Sequence, residues 1–143
     1  MLVDEKTLWP NGQFPTTVLI VRTQYLQEHP DTISALIRGE AKAVDFASTN
    51  VADAKKVTND SIKQLTGSSL APAVLDRSFT ELQFTLDPLA ATFPQLAKDS
   101  VTAGVADKET SLKGFIDVTA LNGVLAQAGK PAVDAAGLDK AQG

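Results

Sequence analysis

The chain has 143 residues, enough for one domain around a single hydrophobic core, and its 43% apolar and 21% charged residues argue against disorder over most of its length. Its 13 basic and 17 acidic residues leave a net charge of -4 with no basic stripe, so nucleic acid is excluded as an expected partner. The absence of cysteine excludes disulfides, thiolate catalysis and cysteine–zinc sites.

Leu2 to Gln13 reads as a loop, because Trp9-Pro10-Asn11-Gly12 combines proline with an Asn-Gly pair. Thr16 to Arg22 is β-branched and almost continuously apolar, which predicts a strand buried on both faces. Phe14 to Val21, the longest uncharged apolar run, is too short to span a bilayer and lacks the basic start and cleavage site of a signal peptide. Helices are predicted for most of the remainder. Thr23 caps a short one that ends at Pro30. Pro30-Asp31 opens a longer one with an apolar stripe at Ile33, Leu36, Ile37, Ala41, Val44 and Ala47.

Asn50 is the expected cap of a third helix, with Val51, Ala54, Val57, Ile62 and Leu65 facing inward and Gly67 ending it. A fourth starts near Pro72 and carries Val74, Leu75 and Phe79 inward. Leu82 to Thr85 alternates and reads as a short extended segment. Asp87-Pro88 signals another helix start, with Leu89, Phe93, Leu96 and Val101 on it and a kink or a split at Pro94. Asp117 caps a last helix with Leu121, Val124, Leu125 and Ala128, closed by Gly129 and Pro131. The chain is thus expected to divide into a hinge loop and crossover strand (1–22), a helical region (23–131) and a flexible tail (132–143) with little to bury.

A doubly buried strand needs neighbours on both edges. Only Leu2-Val3 and Leu82 to Thr85 offer themselves, both weakly. The rest of the sheet is therefore expected upstream.

Catalytic constellations are scarce. His29 stands alone beside Pro30, and a metal site needs several converging ligands. There is no Gly-rich phosphate loop, nucleophile elbow or His-Glu metal motif. Asp4-Glu5 and Asp107-Lys108-Glu109 lie in polar loops, and Asn59-Asp60-Ser61 matches a glycosylation acceptor inside a predicted helix, hence by chance. No catalytic residue, metal or cofactor is expected.

The stretch from Val3 to Arg22, Val-Asp-Glu-Lys-Thr-Leu-Trp-Pro-Asn-Gly-Gln-Phe-Pro-Thr-Thr-Val-Leu-Ile-Val-Arg, closely resembles the hinge region of ABC-importer solute-binding proteins of the aliphatic sulfonate, nitrate and taurine group. The similarity continues through Leu26 to Asp31, Ala41 to Asn50, Leu65-Thr66-Gly67 and Phe84 to Ala90, and so covers the chain to about Lys130. The resemblance implies the carboxy-terminal fragment of a two-lobed α/β fold, the type II periplasmic binding protein fold. This chain would be mainly α with a small β component, and the other half of the protein would precede Met1.

The resemblance further implies capture of a small anionic or organosulfur ligand, delivery to ABC permease subunits, and an extracytoplasmic or periplasmic location with the signal peptide outside this chain. Most pocket residues would lie elsewhere. Trp9, Gln13, Thr16 and Thr17 are the matching positions expected to face the ligand, as neutral donors of the kind that hold an anion. Homo-oligomerisation through the uncovered strand is a further expectation. Two other readings remain: an enzyme resembling the pyrimidine-precursor synthases, whose histidine- and cysteine-containing core is missing here, and a free-standing helical interaction module.

Overall fold

The computed structural model describes residues 3–139. All regular structure among them is helical. The expected β component is therefore corrected, and with it the derivation from an α/β fold. Thr16 to Arg22 forms no strand, and every residue in it is exposed rather than buried. The physical reason is absence of a partner. β-branched residues favour a strand only where a neighbour satisfies the ladder, and Leu82 to Thr85 has no regular structure either. Of the other candidate, Leu2-Val3, Val3 is exposed without regular structure, while Leu2 lies outside the described residues, as do positions 140–143 of the tail.

The helices are α1 (Thr23–Glu28), α2 (Pro30–Thr49), α3 (Val51–Thr66), α4 (Pro72–Glu81), α5 (Phe93–Thr102) and α6 (Thr119–Gln127). Short 3-10 turns occupy Glu5–Leu8, Pro10–Gly12 and Ala90–Thr92. The chain packs as two units. One takes the residues up to Ile37 and from Asp87 onward, the other Arg38–Leu86, so α2 runs through the division.

In the first unit, the Asp4 carboxylate accepts from the Lys6 N–H at 3.1 Å and starts the first 3-10 turn. The Asp87 carboxylate accepts from the Leu89 N–H at 2.8 Å. Leu89 then takes a left-handed φ of 54°, which stops Pro88 from opening a helix. The helix begins instead at Phe93, with Pro94 in its first turn. Proline there lacks only an N–H that has no intrahelical acceptor, so Pro94 stands in the first turn of α5, where a kink or a split was expected. Ala90, Ile116 and Ala135 form a buried cluster with Phe93, Val118 and Leu138 packed on it. The Ile116 N–H donates to the Leu138 carbonyl at 3.3 Å. The segment expected to fray thus packs as far as Leu138.

In the second unit, Ala54 of α3 and Leu75 of α4 are buried. Lys55 joins the same two helices: its Nζ lies 2.8 Å from Asp76 and 5.7 Å from the centre of the Phe79 ring. Gly67 ends α3 at φ 81°, its N–H donating to the Lys63 carbonyl at 2.8 Å. Left-handed φ at that point is why glycine stops the helix. Val57 and Leu65, assigned inward by spacing, are exposed, as is Val74 of α4.

Candidate functional site

The four expected ligand-facing residues fall on the segment that leaves the second 3-10 turn. Pro10 begins that turn, and Asn11 and Gly12 carry it through left-handed φ values of 56° and 67°. The Gln13 N–H closes it by donating to the Pro10 carbonyl at 3.2 Å. Left-handed backbone is tolerated by asparagine and unhindered for glycine, so the dipeptide sets the direction in which the chain continues.

Trp9 is half-buried, its ring 4.8 Å from that of Phe14 and tilted by 37°. The indole Nε1 is shielded from solvent and has no hydrogen-bond partner among the described residues. A buried indole N–H normally has an acceptor, so this donor stands out. Gln13 is half-buried, while Thr16 and Thr17 are exposed. The stretch is therefore split: an aromatic pair anchors one end, and two hydroxyls face solvent at the other. Its chemistry consists of neutral donors, with no base beside a nucleophile.

An open depression of about 480 Å³ in the same unit is lined by Pro94, Glu109, Lys113 and Leu138 among others, and by none of the four. Five of its lining residues run from Glu109 to Lys113, of which sequence alone marks only Glu109, as part of a polar, solvated loop. His29 is exposed at the end of α1, with its ring 4.6 Å from that of Tyr25. Among the described residues, no three His, Asp or Glu side chains come together as metal ligands, and no helix is long and apolar enough to cross a membrane.

Asn59, the asparagine of the acceptor-like triplet, has both ends of its amide occupied. Its Nδ2 donates to the Leu70 carbonyl at 3.1 Å and its Oδ1 accepts from the Leu70 N–H at 2.8 Å. This engagement supports reading the triplet as chance. No family model, curated protein or solved structure matches the chain.

Proposed function

We propose that the chain is part of the substrate-binding component of an ABC importer. Its ligand would be an aliphatic sulfonate, nitrate, taurine or a related small anion, with most of the pocket supplied from outside the described residues. The observation that carries this reading is the run Val18, Leu19, Ile20 and Val21, which is 42%, 58%, 82% and 41% exposed. Contiguous apolar surface of this kind marks a place that something else covers. It directly follows Thr16 and Thr17, whose hydroxyls are exposed and have no hydrogen-bond partner among the described residues. The covering part and the ligand would thus meet this chain at one place.

Capture needs no covalent step. Ligand bound between Thr16, Thr17 and groups outside this chain would favour whichever arrangement binds it more tightly. ABC permease subunits are the proposed recipients, and the location is extracytoplasmic. Calorimetry tests the reading in two arms. The chain alone gives no heat with taurine, alkyl sulfonates or nitrate, whereas the extended protein of which it is proposed to be a part binds one of them. Submillimolar binding by the chain alone would overturn the placement of the pocket. Failure of the extended protein with all three ligands would overturn the ligand class.

A second reading, a free-standing helical interaction module, is favoured by the helical character of all the regular structure among the described residues. It requires both arms to be silent.

A further inference from the structure

The sequence contains two Asn-Gly pairs, Asn11-Gly12 and Asn122-Gly123. In any such pair the missing Cβ of glycine leaves its backbone nitrogen unhindered toward the preceding side chain. The deprotonated nitrogen attacks the asparagine Cγ. As that bond forms, the Cγ–Nδ2 bond breaks and ammonia leaves with the proton. The resulting succinimide takes up water at either carbonyl, giving aspartate or isoaspartate. No oxidant, enzyme or metal is required. Sequence alone makes the two pairs equivalent.

The structure separates them. We infer that Asn11 is a site of spontaneous deamidation in the folded protein, while Asn122 is shielded from the same reaction. Asn11 is exposed and its side-chain amide makes no hydrogen bond among the described residues. The Gly12 N–H is held by one bond, 3.0 Å to the Trp9 carbonyl, across a tight turn in which Asn11 is left-handed. A turn closed by so few bonds opens locally at small cost. Opening this one releases the nucleophile.

Asn122 has none of that freedom. Its Oδ1 accepts from the Val133 N–H at 2.9 Å and its Nδ2 donates to the Val133 carbonyl at 3.1 Å. It is half-buried inside α6, just before the buried Val124 and Leu125. Swinging Cγ onto the Gly123 nitrogen breaks both bonds and the helix together.

Conversion at Asn11 places a carboxylate two residues before Gln13 and, as isoaspartate, adds a carbon to the backbone of the turn. On the proposed function, which this consequence alone rests on, a negative charge there opposes an anion. The reaction itself is independent of that reading.

The test is peptide mapping by mass spectrometry after incubating the chain in mildly alkaline buffer made with ¹⁸O water, folded and in concentrated urea. In the folded chain Asn11 converts with uptake of the label and Asn122 lags by about tenfold or more, as the opening of bonded helix requires. In urea the lag disappears. Equal rates at the two asparagines in the folded chain would overturn the inference. So would an unmodified Asn11 in folded protein while the urea sample converts. Asn11→Gln, which lengthens the side chain, removes the conversion at that position and identifies the signal.

Discussion

Both ends of the Asn122 amide bind the backbone of Val133, eleven residues on, and Asn59 binds Leu70 at the same separation. In each case an asparagine within a helix captures the N–H and C=O of a residue beyond the helix end, across a left-handed glycine, Gly129 or Gly67. The two clamps differ in shielding: the bonds of Asn122 are part-buried and those of Asn59 are exposed. Removing one partner of a buried pair leaves the other unsatisfied, at about 1–3 kcal/mol for each group. Asn122→Ala frees both the N–H and the C=O of Val133, but these are only part-buried, so it is expected to lower stability by about 1–3 kcal/mol in all. Asn59→Ala should cost less, because water can replace its amide. Urea denaturation midpoints of the two variants check the order, and a larger loss at Asn59 would contradict it. Sequence places an asparagine such as Asn59 inside a predicted helix, but the distant backbone it holds cannot be read there.

At the scale of the element, spacing located helices better than it located their faces. Pro30, Pro72, Gly67 and Gly129 act through their own backbone restrictions, so α1 to α4 and α6 fall close to where the sequence puts them. A helix face is set by what packs on it, which the sequence does not state. In α2, Ile33 is buried at 5% exposure, while Leu36 on the same predicted stripe is 48% exposed. Ile33→Ala should cost about 2–5 kcal/mol, as buried aliphatics do. Leu36→Ala should cost about 1 kcal/mol or less, in the range of surface changes. Thermal denaturation of the pair decides, and equal losses would restore the full stripe. Leu89 and Pro94 were illegible for a different reason. A left-handed leucine is seldom visited, so sequence placed the helix start too early and left Pro94 inside it as a kink or a split. Thr16 to Arg22 has the local preference of a strand, and no local signal tells whether a partner exists. The same limit applies to Trp9, Gln13, Thr16 and Thr17: residue type and position are readable, but not what lies across from them.

Over the whole molecule, burial is sparse. No large side chain among the described residues is fully buried, and Ala54, Ala90 and Ala135 supply much of what is buried. Against that thin interior, the exposed run from Val18 to Val21 is a surface that invites association. The isolated chain is expected to form dimers or larger assemblies through Thr16 to Arg22. Light scattering measures this, with Val18→Pro, which deletes a backbone N–H, expected to dissociate the assembly without loss of helical circular dichroism. A wild-type monomer at high concentration would refute it. The division of the chain also bears on synthesis. Arg38–Leu86 is continuous in sequence, whereas the other unit joins the residues up to Ile37 with those from Asp87 on. Domains emerge from the ribosome amino end first. The middle segment is therefore complete while the leading piece still waits for its other half. During that interval the leading piece lacks the residues from Asp87 on that complete its unit, and its run from Val18 to Val21 stays exposed even afterwards.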